Sequence, residues 1–256
     1  MNKIFLLKAI SSLAVIAFLH SCSTGTPHNA ATPLTVSQVS GPNAYETLLD
    51  KYVTPQGVRY QEWTSSPADL TKLEAVTGYY ASHQPPTGSE AALAWYLNAY
   101  NAWILHRILS NWPNEGPLNV SFLFFHKKSI VVSGEKMSFL HLENEIIRKK
   151  FPEPRLHFAL NCASRSCPPL HTKPFVASNL DRVLEELTVT FLNENPNALS
   201  ETESEVQLSK IFKWYEEDFG GRENLVAFIN RYRKQPLSLT KKVSFLDYDW
   251  QLNSAL

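Results

Sequence analysis

The chain has 256 residues, 24 Lys and Arg against 24 Asp and Glu, 44% apolar residues and three cysteines. This composition excludes a disordered chain. The charge balance offers no basic excess, so neither a nucleic-acid partner nor a polybasic membrane patch is expected.

Residues 1–21 begin with Lys3 and Lys8 and carry an apolar run from Ala9 to Leu19. This is the layout of a secretory signal, and the run is short for a membrane span. It ends in Leu19-His20-Ser21-Cys22, which resembles the lipobox of bacterial lipoproteins. The resemblance implies a diacylglycerol on the Cys22 thiol, cleavage before it and an acyl chain such as palmitate on the new amine. The membrane is then a partner through this anchor, and the rest of the chain works in the cell envelope. Several acyl chains on one residue give stable anchoring. Ser23 stands where Asp retains some lipoproteins at the inner membrane, which favours the outer membrane facing the periplasm. Residues 22–42, rich in Ser, Thr, Pro, Gly and Asn, read as a flexible tether. Residues 43–256 are long enough for one domain with a sizeable core.

Within that domain, residues 43–52 have apolar spacing of helical type behind a capping Asn43. Thr54-Pro55-Gln56-Gly57 is a turn signal before an extended piece at 58–60. Residues 68–82 read as a helix stopped at Pro85-Pro86. Ser89 opens the longest helical pattern, apolar almost all round and stopped by Pro113, which predicts a buried central helix. Residues 121–132 are aromatic and β-branched and predict one or two strands, with a turn at Ser133-Gly134. A helix follows over 138–151, then a short strand over 155–161 and an irregular loop, CASRSCPPL. Helices are predicted over 180–192, 209–219 and 223–232, with Gly220-Gly221 closing the second. Strands are predicted at 206–208, 243–245 and 248–250. The fold class is α+β: a single helix-rich domain around a small, mostly antiparallel sheet.

Five strings, AWYLNAYNAWILH (94–106), HLENEIIRKKF (141–151), RLHFALNCASRSCPPL (155–170), LSKIFKWYEEDFGG (208–221) and LDYDWQLN (246–253), occur in this order. Together they closely resemble the family called domain of unknown function 547, over almost all of residues 43–256. The resemblance singles out Asn98, Tyr100, Asn101, Glu143, His157 and Cys162. A Cys, a His and a carboxylate in a small α+β domain are similar to papain-like and transglutaminase-like enzymes. The likeness is one of fold-level analogy.

A cysteine nucleophile reacts as the thiolate and needs a base or hydrogen bonds to stabilise it. Cys162 is the expected nucleophile, His157 the base and Glu143 the residue that orients the imidazole. Asn98, Asn101 and Asn161 are candidates for holding substrate or an oxyanion. Five residues of straight strand span about 16 Å, so His157 reaches Cys162 only if the chain bends between them. His106, His126, His141 and His171 remain alternative bases. Cys162 and Cys167 are also a candidate disulfide, since an oxidising compartment favours one. Neither a metal nor another cofactor is expected, because Cys162, Cys167, His157 and His171 lack the spacing of a zinc motif. The expected activity is hydrolysis or acyl transfer at an amide, peptide or thioester bond. The alternative is a non-catalytic envelope lipoprotein that binds a protein partner or small molecule in the same cleft.

Overall fold

Pro42 sets the backbone angle for the first turn of a helix, and Gly41, at φ +88°, makes the entry that a side chain would strain. The computed structural model describes residues 41–255. The signal segment, most of the tether and Cys22 therefore lie outside the described residues. Helix α1 covers Pro42–Tyr52, so Asn43 lies inside it and does not cap it. Strands β1 (Val53–Thr54) and β2 (Gly57–Val58) pair antiparallel, and helix α2 follows at Tyr60–Thr64. The extended piece predicted at 58–60 is thus shorter, because Tyr60 already starts α2.

Helix α3 spans Pro67–Ser82 and packs on α4, Ser89–Leu109. Helix α4 is the predicted central helix, with 15 of its 21 residues buried. Its N-cap is Gly88, and Ser89 makes no capping hydrogen bond. Its last carbonyls are met from outside: Asn111 Nδ2 donates to Arg107 O at 2.7 Å and Asn114 Nδ2 to Ile108 O at 3.0 Å.

A short helix α5 (Pro117–Val120) leads into a tight turn, and the predicted strand appears only as β3, Ile130–Val132. The turn forms because Ser121 accepts twice, through its Oγ from Leu123 N at 3.1 Å and through its carbonyl from Phe124 N at 2.9 Å. β3 pairs antiparallel with β4 (Glu135–Met137) across the expected Ser133-Gly134 turn. The helix predicted over 138–151 contains a π-helical stretch, His141–Ile147, and a final turn α6, Arg148–Lys150. π-Helical turns are rare and frequent at functional sites.

The strand predicted over 155–161 is a 3₁₀-helix, Pro154–Phe158. Two local features select it. Pro154 pre-sets the first turn, and the Glu153 carboxylate accepts from Arg155 N at 3.0 Å as an N-cap.

Beyond the cysteine loop come α7 (Leu180–Glu194), β5 (Leu199–Glu201), β6 (Glu205–Leu208), α8 (Ile211–Trp214), a 3₁₀-helix at Glu216–Phe219, α9 (Leu225–Asn230) and β7 (Lys242–Phe245). β5 pairs antiparallel with β6, and β6 parallel with β7. Three separate small sheets thus take the place of one, mostly antiparallel, and the single domain is α+β as expected. Residues 248–250 form no strand; Asp249 and Gln251 instead bond the cysteine loop.

The apolar interior has two parts. One gathers α1, α3, α4 and the β3–β4 hairpin, with Leu156 and Leu160; the other gathers the end of α7, β6, α8 and α9, with Phe158. The 3₁₀-helix Pro154–Phe158 therefore feeds both. Among the described residues no helix is long and apolar enough to cross a membrane.

Candidate functional site: a thiol cavity between two cores

A cavity of about 440 Å³ lies where the two cores meet. Cys162, His157, Glu143 and Cys167 all line it. The bend required between His157 and Cys162 is supplied by the 3₁₀-helix, which rises only about 2.0 Å per residue, and by the loop that follows.

Cys162 heads a loop held from three directions. Asn101, on α4, donates to Ala159 O at 2.9 Å and accepts from Asn161 N at 2.9 Å. Asn161 donates to Pro168 O at 2.8 Å and accepts from Ala163 N at 2.9 Å, closing the loop on itself. The C-terminal residues then strap it: Asn253 N donates to Ala163 O at 3.0 Å and Arg165 N to Gln251 O at 2.8 Å. A Cβ on Gly57 or Gly116 would run into the carbonyl of Asn253 or Trp250, so the strap needs glycine at both points. Ala163, fully buried, takes φ +65°, a left-handed conformation that costs a non-glycine residue about 1–2 kcal/mol.

These bonds show where the three candidate amides are engaged. Asn101 and Asn161 spend their amides on the backbone of the loop. Asn98 grips the backbone of Phe175 twice, at 2.8 Å each way. None of the three lines the cavity. A buried amide must be satisfied, and here the partners are backbone groups rather than a ligand.

Cys162 is a partly exposed residue, and its sulfur sits 3.0 Å from Ser164 Oγ and 3.2 Å from Tyr248 Oη. Cys162 and Cys167 are free thiols, and Cys162 N donates to Cys167 Sγ at 2.8 Å. Burial pushes the Cys162 thiol up, but hydrogen bonds from Cys167, Ser164 and Tyr248 outweigh it and lower the pKa to about 7. Burial and the neighbouring Cys162 push Cys167 the other way, well above the ordinary thiol range. The two neighbouring thiols are thus driven apart, Cys162 toward the thiolate and Cys167 toward the protonated form.

His157 is buried, stacked on Tyr215 at 4.0 Å between ring centres. Its carboxylate partner is Asp218, not Glu143: His157 Nε2 lies 2.7 Å from Asp218 Oδ2. Asp218 also accepts from Arg148, Nε at 2.6 Å and Nη2 at 2.8 Å. Burial opposes the ionised form of Asp218, but His157 and Arg148 prevail and hold its pKa well below the usual carboxylate range. Glu143 instead accepts from Tyr100 Oη at 3.1 Å. No hydrogen bond joins Cys162 to His157 among the described residues. With Nε2 on Asp218, the imidazole has Nδ1 left for chemistry.

Of the alternative histidines, only His126 lines the cavity. His171 Nδ1 bonds Lys173 O at 2.7 Å, His106 lies part-buried on α4, and His141 is exposed. Part of the cavity wall is aromatic. Tyr248 and Trp250 are 4.7 Å apart between ring centres, Trp214 is 4.7 Å from Tyr248, and Phe125 is 6.0 Å from Trp250.

Residues 86–192 match the family described as Protein of unknown function, DUF547. The match supports the resemblance over the first three strings, and the strings at 208–221 and 246–253 lie beyond it. The DUF547 region holds α4, the π-helix, His157 and Cys162. Asp218, Tyr248 and Trp250 lie outside it. No curated protein and no solved structure matches the chain.

Asp218, Tyr248 and the hydroxyl of Ser164 escaped the sequence reading. All three stand within the strings that carried the resemblance. Asp218 is one of three consecutive acidic residues, Glu216-Glu217-Asp218, and nothing marks it from its neighbours.

Proposed function

We propose that the chain is a cysteine-dependent hydrolase or acyl transferase acting on an amide, peptide or thioester bond. The observation that carries this reading is the Cys162 sulfur, held by hydroxyl donors in the cavity that also contains the Asp218-oriented His157. In the first step Cys162 gives up its proton to His157 Nδ1 and the thiolate attacks the substrate carbonyl carbon. The carbonyl π pair moves to oxygen and returns as the leaving group departs. His157 Nδ1 passes that proton to the leaving amine or thiol. Water, deprotonated by the same nitrogen, or an acceptor amine then releases the acyl group and regenerates the thiolate. Tyr215, Asp218 and Arg148 position the imidazole.

The test is acylation of the folded chain with p-nitrophenyl acetate. The expected result is a burst of p-nitrophenol and an acetyl thioester on Cys162 by mass spectrometry, absent in Cys162→Ser. A Cys162 that alkylates with iodoacetamide yet takes no acyl group from the ester would refute the reading. It would favour a non-catalytic envelope lipoprotein binding its ligand in the same cavity. The aromatic wall and the absence of a direct Cys162–His157 hydrogen bond among the described residues support that second reading.

The proposed address is the bacterial cell envelope, by lipid on Cys22, at the outer membrane facing the periplasm. It rests on the lipobox-like string. Incorporation of labelled palmitate that persists in Cys22→Ser would remove it.

A further inference from the structure

Residues 121–125 read in the sequence as strand, yet two of them face water. Phe122 is 85% exposed and Leu123 50% exposed, with Leu118 of α5 beside them in sequence at 38%. They are fixed in place. Lys127 N donates to Leu123 O at 2.8 Å, and the buried Phe124 stacks on Phe139 at 5.3 Å between ring centres. The turn therefore presents Phe122 and Leu123 as two rigid apolar prongs. His126, Lys127 and Lys128 follow directly, all exposed, and neither lysine is paired with a carboxylate among the described residues.

The segment that carries the prongs runs on directly into the wall of the cavity. Phe125 and His126 line it, and Phe125 continues through Trp250 to Trp214, with ring centres 6.0 and 5.8 Å apart. Trp214 is 44% exposed, and its neighbour Lys213 is exposed as well. An apolar edge with lysines beside it thus runs along the cavity mouth.

Two prongs and a tryptophan fall far short of the roughly 1,200–2,000 Å² that a stable protein interface buries. They have the chemistry of an interfacial membrane contact instead. Phe, Leu and Trp enter the boundary between headgroups and acyl chains, and lysines reach the headgroup phosphates along their apolar stems. We propose that Phe122 and Leu123, with Lys127, Lys128 and Trp214, dock the cavity rim on an anionic lipid surface. The contact is non-covalent and independent of any lipid on Cys22. It turns the cavity mouth toward the bilayer, where a substrate attached to or dissolved in lipid would enter. It does not depend on the reaction proposed above.

The test uses the full chain carrying Cys22→Ser, bound to vesicles of phosphatidylcholine with or without phosphatidylglycerol. Backbone hydrogen exchange is resolved by segment. The apolar run at 9–19 is common to every variant, so the comparison rests on residues 117–128. Their amides are expected to exchange at least about fivefold more slowly on the anionic vesicles than in solution. The slowing should vanish in Phe122→Ser/Leu123→Ser. In Lys127→Gln/Lys128→Gln the extra slowing that phosphatidylglycerol brings should disappear. Both substitutions are at exposed positions, and unchanged exchange across α4 verifies the fold. Equal exchange with and without vesicles would overturn the proposal. So would slowing that survives the Phe122 and Leu123 replacements, or slowing that appears only when another envelope protein is added.

Discussion

Tyr248→Phe removes one hydroxyl donor from the Cys162 sulfur and leaves the ring that packs at a tilt against Trp214 and Trp250. The Tyr248 hydroxyl is itself held far above its ordinary pKa, by burial first and the two cysteines next, so it remains a donor throughout the titration of Cys162. With Cys162 at about 7, half of the thiol is ionised at neutral pH. Losing one donor to a charged sulfur should raise the midpoint to about 8. The thiolate fraction at pH 7 then falls about fivefold, while each thiolate becomes about threefold more nucleophilic, because nucleophilicity grows with basicity. The net rate of alkylation at pH 7 falls only about twofold, and above pH 9 the variant is about threefold faster. The two profiles cross between about pH 7 and pH 8. The assay is the rate of iodoacetamide labelling of Cys162 against pH, read by mass spectrometry, with buried Cys167 unlabelled as the internal control. A Tyr248→Phe profile that superimposes on the parent, or a parent midpoint near the ordinary thiol value, would refute the hydrogen-bond account of the site.

Asp218→Asn leaves Arg148 and His157 without their shared anion and should cost about 2–3 kcal/mol in urea unfolding. Because the folded Asp218 pKa is depressed from 3.8, its contribution is complete above about pH 5 and fades as pH falls below about 4. The difference between parent and variant should therefore be smaller at pH 2 than at pH 6. Asn101→Ala strands two buried backbone groups, at Ala159 and Asn161, and should destabilise by about 2–4 kcal/mol. An oxyanion role alone would leave stability nearly unchanged, so thermal or urea unfolding separates the two. Ala163→Val places a β-branched side chain at φ +65° in a fully buried site. The expected loss is about 2 kcal/mol or more, with slower Cys162 labelling as the loop shifts.

What the sequence made legible follows the range of the interactions. Helix α4 was readable because 15 of its residues are buried and its pattern is local. The β3–β4 hairpin was readable from its Ser133-Gly134 turn. The segment 155–161 misled because Leu156, Phe158 and Leu160 alternate like a strand. They do so because Leu156 and Leu160 enter one core and Phe158 the other. Phe122 misled for the opposite reason: its type belongs in a core, and only the turn made by Ser121 turns it outward. The cysteine and histidine of the site were readable from the resemblance. The carboxylate that orients the histidine was not, because its partner lies 61 residues away.

That separation bears on where the chemistry resides. The DUF547 match stops at residue 192 and already contains Cys162, His157 and Glu143. Those three side chains are not joined to each other by hydrogen bonds among the described residues. What prepares them comes mostly from later in the chain. Asp218 orients His157, Tyr215 covers the imidazole face, Tyr248 supports the thiolate, and residues 249–253 strap the loop that carries it. Trp214 and Trp250 supply most of the aromatic wall, and Ile211 seals the cavity from the second core. Residues 86–192 hold the thiol and the imidazole, but neither the donor from Tyr248 nor the orienting carboxylate. The cavity is therefore built by the two cores together, and a chain cut after α7 would lose both the Tyr248 donor and the Asp218 carboxylate.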